Sequence, residues 1–264
     1  MNNDTKVFEQ RKNRLFLVIS AIFLTNALVA EMIGVKIFSA EQTVNLSPAN
    51  ISILGFAMDF NLTAGVLIWP VVFITSDLIN EYFGLPGVKR ISYLTAILIA
   101  YSFIIIFVTI HLPPSNWWLD ANKIDSEGNY FNIDFAFNKI FGQGQRIIIG
   151  SLCAFLLGQL IDVQVFHRLR KVTGHKMIWL RATGSTIISQ FIDNFVVLFI
   201  AFFNVFSNAQ ILAIGVTNYI YKFFIALLLT PIIYLGHMII NKYLGKENAS
   251  KLAEEASKQS EKFL

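Results

Sequence analysis

Apolar runs long enough to cross a lipid bilayer dominate this sequence. A spanning helix needs roughly 20 mostly apolar residues. Runs of about that length cover residues 15–38, 62–83, 88–111, 146–167, 178–206 and 217–240. The composition agrees, because only 14% of the residues are charged, whereas a soluble domain contains about 25%. The sequence therefore predicts an all-α, polytopic membrane protein with six transmembrane helices.

Basic residues occur in alternate connections between these runs. Most of the 21 Lys and Arg residues precede the first run, separate the second from the third and the fourth from the fifth, or follow the sixth. Lys123, Lys139 and the boundary residue Arg146 are the basic residues of the other connections. Because short basic loops face the cytoplasm, we expect both termini there, in a multi-pass protein of the cytoplasmic (inner) membrane. The basic residues then set topology, and no nucleic-acid partner is predicted.

This topology divides the chain into three parts. We expect a cytoplasmic N-terminal segment at 1–14, a transmembrane transport domain at 15–243 and a polar cytoplasmic tail at 244–264. In the first outer connection, "TVNL" and "ISIL" flank "SPAN", which predicts a short hairpin around a proline turn. The uncharged segment 204–218 favours an interfacial helix. The long 112–145 connection begins near a Trp pair, which is typical of anchoring at the lipid headgroups and leaves a lid open as an alternative.

Enzyme chemistry is disfavoured by the motifs that the sequence lacks. Cys153 is the single cysteine, and there is no H-E-x-x-H pattern, so no metal or cofactor is predicted. "TGST" at 183–186 resembles the surroundings of a serine nucleophile, but no histidine lies deep in a run to activate it. The sequence has no phosphate-binding glycine loop, so an ATPase is not predicted.

Polar side chains inside the apolar runs indicate a shared interior. Ionisable groups in a bilayer cost roughly 2.5–3.5 kcal/mol each on insertion scales and usually face a cavity or one another. Asp77 and Glu81 are four residues apart and share a helical face. Ser185, Ser189 and Asp193 also step by four. The alternative is structural, with ion pairs that lock helices together or basic side chains that reach the headgroups.

Four stretches carry a family resemblance: "ITSDLINEYFG", "LLGQLIDVQVFHRLR", "GSTIISQFIDNFVVLFIAF" and "YIYKFFIALLLTPIIY". Over about residues 15–243 the chain resembles the queuosine precursor transporter family, also called the vitamin uptake transporter family. The resemblance implies a six-helix membrane fold. It also implies import of 7-deazaguanine precursors of the tRNA nucleoside queuosine, namely preQ0, preQ1 or queuine.

The candidate substrate-binding residues combine the resemblance with the polar face of the fifth run. A carboxylate can accept hydrogen bonds from the ring N–H and amine of a guanine-like edge, and an amide can satisfy its carbonyl. We expect Asp77 and Asp162 to form the site or to couple its opening to helix movement. Glu31 and Lys36 receive no assigned role. The candidates, with Asp193, Gln159 and Asn26 as first choices, are Asn26, Asp77, Gln159, Asp162, Ser185, Gln190, Asp193, Asn194 and Lys222.

Other functional classes stay open at this point. The chain is expected to act as a carrier that binds a small 7-deazaguanine molecule and contacts membrane lipid. The main alternative is a substrate-binding subunit of an energy-coupling-factor importer, which requires an energy-coupling module. A homo-oligomer is also possible. A purely structural scaffold would leave the buried carboxylates without a solute, and their replacement would then change stability rather than transport.

Overall fold

The computed structural model describes residues 3–142, 145–173 and 177–261, with side chains for 5–142, 149–173 and 177–260. Most of these residues are helical. The helices are α1 (Asn3–Ile33), α2 (Ala40–Thr43), α3 (Trp69–Ile110), α4 (Asn116–Ala121), α5 (Ile133–Phe141), α6 (Gln145–Thr173), α7 (Ile178–Phe202), α8 (Asn208–Leu244) and α9 (Lys246–Glu261), with a 3-10 helix at Ala64–Leu67. The strands are β1 (Ile37–Ser39), β2 (Ile51–Ile53), β3 (Phe56–Met58) and β4 (Asn61–Thr63).

Within the described residues, five helices are long and apolar enough to cross a membrane. They belong to α1, α3, α6, α7 and α8. Their outward surfaces expose large aliphatic and aromatic side chains, which suits contact with lipid. The protein is therefore a mainly α-helical, multi-pass membrane protein, and the number of six spans stays a prediction.

Helix α3 contains two of the six runs and is interrupted between them. As a straight helix, its 42 residues would be about 63 Å long, roughly twice the 30 Å hydrocarbon thickness. Gly84 has a non-helical backbone with φ 63° and ψ −168°, a conformation that glycine adopts without a steric penalty. Pro86 follows and has no backbone N–H to continue the helical pattern. The break separates residues 69–83 from residues 85–110.

Contacts at the two ends of α3 show that the helix turns back at this break. Trp69, at its start, lines one cavity together with Lys139 and Ile140 of α5. The end of α5 also meets the end of α3, since a β-carbon built on Gly142 would lie 3.6 Å from Cδ1 of Ile110. Both ends of α3 thus lie near α5, in a bundle end called here the loop end, which contains residues 34–68 and 111–142.

The opposite end of the bundle contains Gly84, the last residues of α6, the first residues of α7, and α9; we call it the basic end. Helix α9 packs against α3 through buried small and aliphatic residues. Ser260 Oγ accepts the Leu85 N–H at 2.8 Å, so α9 satisfies a donor that the break leaves without a helical acceptor. The segment predicted as a polar tail therefore forms a helix that packs on the bundle.

Helices α6 and α7 approach closely through glycine. A β-carbon on Gly150 would lie 3.3 Å from Cβ of Ile200, and one on Gly158 would lie 3.3 Å from Cβ of Asp193. Small residues permit this kind of close backbone approach between membrane helices. The glycines of α6 consequently place the polar face of α7 directly beside the polar face of α6.

Two local predictions are wrong. The hairpin of the first connection pairs β2 with β3 around Leu54 and Gly55, both at positive φ, rather than around the proline turn at 47–50. "TVNL" forms no strand, and β1 pairs instead with β4. Residues 208–218 form no separate interfacial helix, because they begin the continuous helix α8.

Candidate functional site

A cavity of about 840 Å³ lies between the helices and reaches the loop end. Helices α1, α3, α6, α7 and α8 contribute its walls, and Lys36, Asn61 and Lys139 come from the loop end. Its volume falls within the roughly 300–1,000 Å³ of small-molecule sites. The lining is mainly apolar with a few polar groups that converge from different helices, which is the usual chemistry of a binding site.

Six of the nine candidate residues line this cavity: Gln159, Asp162, Gln190, Asp193, Asn194 and Lys222. Five of them follow the helical spacing in the sequence, because three-residue and four-residue steps keep them on the facing sides of α6 and α7, and Lys222 comes from α8. Gly158 and the close approach of the two helices bring both sets together. Whether these residues bind substrate stays a prediction.

An ion pair crosses the cavity wall between α7 and α8. Lys222 Nζ donates to Asp193 Oδ2 at 3.0 Å, and both side chains keep about a fifth to a quarter of their surface exposed. Because neither group is fully buried, a ligand can reach both charges. The pair can therefore present a carboxylate oxygen and an ammonium group from one place.

Hydroxyl groups orient two further polar residues of the cavity. Ser76 Oγ donates to Gln159 Oε1 at 2.8 Å, and this bond does not use the amide nitrogen of Gln159 as a donor. Ser189 Oγ donates to Asp162 Oδ1 at 3.2 Å. These bonds join α3 to α6 and α6 to α7, which holds the amide and the carboxylate in defined positions.

Asn194 and Gln190 have different local roles. Asn194 Nδ2 donates to the Gly215 carbonyl at 2.8 Å and thereby ties α7 to α8. The Oε1 atom of Gln190 is buried and has no hydrogen-bond partner among the described residues. A buried acceptor without a partner is costly, so Gln190 offers an acceptor to a donor that enters the cavity.

Glu31 of α1 belongs to the cavity, although the sequence did not single it out as a site residue. Its Oε1 accepts a hydrogen bond from Ser151 Oγ at 2.5 Å, which joins α1 to α6. Glu31 and Ser151 both line the cavity. The signal was present in the sequence as a carboxylate inside an apolar run, but the side of the helix that faces the interior was not determined.

An aromatic wall was also missed. Trp69 and Phe73 of α3 line the cavity with ring centroids 5.8 Å apart and planes 18° apart. Phe155 of α6 lies 6.1 Å from Trp69 and lines the same space. Flat aromatic faces of this kind suit a flat ring system, and aromatic residues are too frequent in membrane helices to mark such a wall from sequence.

Three candidate residues lie outside the large cavity. Asn26 is half-buried on α1 and donates to the Ile22 carbonyl of its own helix at 2.8 Å. Asp77 is 2% exposed beside a space of only about 10 Å³. Ser185 is fully buried and donates to the Ala182 carbonyl at 3.1 Å. The side chain of Arg146 lies outside the described residues, and Lys36 lines the cavity at the loop end.

Comparison with known sequences places this arrangement in a family. The model of the family described as "Putative vitamin uptake transporter" matches residues 63–236. The chain is 28% identical over 196 residues to the "Probable queuosine precursor transporter" of Bacillus subtilis (strain 168), covering 73% of this chain and 80% of that protein. No solved structure matches the chain.

Two further relatives extend the match over most of the chain. The "Probable queuosine precursor transporter" of Haemophilus influenzae (strain ATCC 51907 / DSM 11121 / KW20 / Rd) is 27% identical over 238 residues, 87% of this chain and 89% of that protein. The "Queuosine precursor transporter" of Escherichia coli (strain K12) is 28% identical over 210 residues, 76% of this chain and 83% of that protein. The matched region contains α3, α6, α7 and most of α8, which build the greater part of the cavity. With its fold, its cavity and its matched sequence taken together, the chain belongs to the vitamin uptake transporter family.

Proposed function

We propose that this protein imports 7-deazaguanine precursors of queuosine, namely preQ0, preQ1 or queuine, across the cytoplasmic (inner) membrane for tRNA modification. Three relatives that cover most of the chain are named as transporters of queuosine precursors. The observation that carries the proposal is the cavity of about 840 Å³ between membrane-length helices, with an aromatic wall and convergent carboxylates and amides.

The chemistry of the cavity suits a guanine-like molecule. Trp69 and Phe73 offer flat faces for the fused ring. Asp193 offers a carboxylate that accepts the ring N–H and the exocyclic amine, and the free donor of Gln159 faces the ring carbonyl. Lys222 lies next to Asp193 and places an ammonium group 3.0 Å from that carboxylate.

Glu31 gives the cavity a second carboxylate at the α1 wall. Ser151 occupies one of its oxygens, which leaves the other to accept from a donor of the substrate. Asp162 provides a third carboxylate at the deep end, held by Ser189. An excess of acceptors in the cavity favours a donor-rich base over a neutral hydrocarbon ring, because each acceptor that the hydrocarbon buried without a donor would cost about 1–3 kcal/mol.

The proposed topology follows the distribution of basic residues. We place the loop end outside and the basic end, with both termini, in the cytoplasm. The turn at Gly84 then separates two spans of α3 and gives six spans in all. The cavity reaches the loop end, so the substrate would enter this conformation from outside.

The comparisons lend no support to the alternative of an energy-coupling-factor subunit. The groups that the sequence offered for catalysis are not brought together at the cavity among the described residues. The hydroxyl of Ser185 donates within its own helix, and His167 and His237 lie towards the basic end, away from the cavity lining. A transporter is the function that agrees with the family.

The proposal is tested by expressing the chain in cells that can neither make nor import queuosine precursors. preQ0, preQ1 and queuine are supplied separately, and queuosine in tRNA is measured together with accumulation of the labelled base. We expect at least one base to restore queuosine and to accumulate. Normal membrane abundance with neither response to any of the three bases would contradict the proposal.

A further inference from the structure

A buried charge network closes the basic end of the bundle. Glu81 of α3 accepts two hydrogen bonds from Nη2 of Arg181, both at 3.0 Å. Nη1 of Arg170 lies 3.3 Å from the same carboxylate. The three side chains come from α3, α6 and α7 and are at most 8% exposed. One carboxylate therefore joins three membrane helices at a single point.

The network lies beyond the floor of the cavity. The cavity lining ends at Ser76 on α3, Asp162 on α6 and Thr186 on α7. Glu81, Arg170 and Arg181 lie five to eight residues further along the same helices, which is about 8–12 Å towards the basic end. A solute that leaves the cavity in that direction has to pass between these helices.

Helix α9 holds one member of this network in place. Nη2 of Arg170 donates to the Ala253 carbonyl at 2.8 Å, and Nη1 donates to the Glu81 carbonyl at 3.4 Å. An arginine with both carboxylate and carbonyl acceptors in a fixed fork is well ordered. The backbone of α9 thus supplies a hydrogen-bond acceptor for Arg170 from outside the spanning helices.

The same helix also holds the turn of α3. Ser260 Oγ accepts the Leu85 N–H and donates to the Ala256 carbonyl at 2.7 Å. Gly84 is in close contact with this region, because a β-carbon there would lie 2.6 Å from the Ala256 oxygen. Ala249, Leu252 and Ala253 add apolar contacts to the core of the bundle. Helix α9 therefore contacts α6 at Arg170 and α3 at the Gly84 turn.

We propose that Glu81, Arg170 and Arg181 form an inner gate and that α9 is the latch that keeps this gate closed. Opening to the cytoplasm requires Arg170 to leave the Ala253 carbonyl and α3 to move about its Gly84 turn. The ion pairs of Glu81 with Arg170 and Arg181 form again once the substrate has left, because a buried arginine without its carboxylate is strongly disfavoured. The transport direction in this inference rests on the proposed function, whereas the closure itself does not.

The test displaces α9 without touching the charged residues. Ala256 is 3% exposed against the bundle, whereas Gln259 of the same helix is exposed. Ala256→Leu should wedge α9 away, and Gln259→Leu is the matched control. The reporter is Val197→Cys in the cavity wall, with Cys153→Ala removing the native thiol. A thiol reagent that cannot cross membranes is added to sealed vesicles from either side.

We expect the reporter to react quickly from the loop end and slowly from the basic end. Ala256→Leu should raise the basic-end rate by about tenfold, the response to a tenfold change in the population of an open state. Gln259→Leu should leave both rates unchanged. A basic-end rate that stays unchanged in a well-folded Ala256→Leu protein, judged by a single symmetric elution peak, would overturn the latch.

A gentler pair of variants covers the case in which Ala256→Leu fails to fold. Ser260→Ala removes the acceptor of the Leu85 N–H, and Ser250→Ala is its control because Ser250 is exposed on the same helix. Ser260→Ala should also raise the basic-end rate, and equal rates in the two variants would overturn the proposal. Equal labelling rates from both ends in the reporter protein with an unmodified α9 would overturn the claim that the gate is closed. No substrate is present, so failure of the transport proposal leaves this outcome intact.

Discussion

Asp193 and Lys222 form an ion pair at 3.0 Å in the cavity wall, and both side chains are partly exposed. We predict that Asp193→Asn lowers uptake at least about tenfold, because a neutral amide cannot accept both donors of a guanine-like edge as a carboxylate does. Membrane abundance should stay near normal, since the side chain is only partly buried. Uptake is measured at several substrate concentrations.

A double replacement separates binding from simple charge balance. If Asp193 only neutralises Lys222, then Asp193→Asn combined with Lys222→Met should restore uptake. If Asp193 contacts the substrate, the double variant stays as inactive as Asp193→Asn. Normal uptake by Asp193→Asn alone would remove this residue from the site.

Glu81 is a buried carboxylate that contacts both Arg170 and Arg181 in the basic-end network. Glu81→Gln removes the negative charge while two arginines stay buried. The loss of one partner from a buried ion pair costs roughly 3–5 kcal/mol, so we expect a clear fall in thermal stability in detergent. Glu247→Gln is the control, because the Glu247–Lys251 pair on α9 is exposed, and it should leave the melting temperature unchanged. An equal melting temperature for Glu81→Gln would contradict the network.

Residues that line the cavity were predictable from sequence where one helix carried several polar groups in register. The steps along α6 and α7 defined one polar face on each helix, and the polar residues of these faces other than Ser185 line the cavity. On α1 the polar residues were isolated and did not repeat at helical spacing. Asn26 and Glu31 are five residues apart, which is about 140° around a helix, so the two cannot face the same cavity. The sequence contained no information on which of the two points inward, and Glu31 does.

Gly84 decides whether α3 is one helix or two. Gly84→Ala should destabilise the protein, because its φ is 63° and the added β-carbon would lie 2.6 Å from the Ala256 oxygen of α9. Gly55→Ala is the matched control, because Gly55 also has a positive φ, 85°, but nothing lies within 4 Å of the added carbon. Backbone strain at positive φ costs about 1–3 kcal/mol, and the ψ of −168° places Gly84 in a region that is essentially restricted to glycine.

The contact with α9 adds to the backbone strain in Gly84→Ala and has no counterpart in Gly55→Ala. We expect the melting temperature of Gly84→Ala to fall well below that of Gly55→Ala in the same detergent. Equal shifts would mean that α9 does not pack on the turn of α3.

Glu41 holds the loop-end segment between α1 and α3. Its Oε1 accepts the Phe60 N–H at 2.7 Å, and its Oε2 accepts the Ser39 hydroxyl at 3.0 Å. The Phe60 N–H is the largest cause that lowers the pKa of this carboxyl below its ordinary value. A lowered pKa in the folded state stabilises the segment above the unfolded pKa of about 4.3. That stability is lost as the pH falls through the folded pKa.

The prediction is that cleavage within residues 37–63 by an acid-active protease accelerates as the pH is lowered through this range. Glu41→Gln should be cleaved faster near neutral pH and should show a weaker pH dependence, with Glu127→Gln in the exposed second loop as the control. A cleavage rate for Glu41→Gln that matches the unmodified chain at every pH would refute the role of Glu41.

At the scale of elements, long apolar runs were more predictable than their connections. Run length and apolar content locate α1, α6, α7 and α8, and glycine with proline marks the break in α3. The strands of the loop end were not located correctly, because three-residue strands depend on their partners more than on their own sequence. Docking of α9 was also missed. Its alanines suit any helix, and only the structure shows that they are buried.

The whole molecule combines a cavity that reaches the loop end with a closed network at the basic end. This asymmetry is what a carrier needs, because access to both sides at once would make a channel. The sequence indicated a shared polar interior, but the size of the cavity and its closure at one end depend on how helices far apart in the chain pack. The alternation of basic connections predicted the orientation of that asymmetry, and labelling from the two sides of the membrane tests it.

The most direct test of the account is transport by the purified chain alone. The protein is reconstituted into liposomes, labelled preQ0, preQ1 or queuine is added outside, and downhill uptake is compared with empty liposomes and with Asp193→Asn. The account predicts saturable uptake of at least one base by the unmodified chain and nearly none by Asp193→Asn. Folded, reconstituted protein that moves none of the three bases faster than empty liposomes would contradict its central claim.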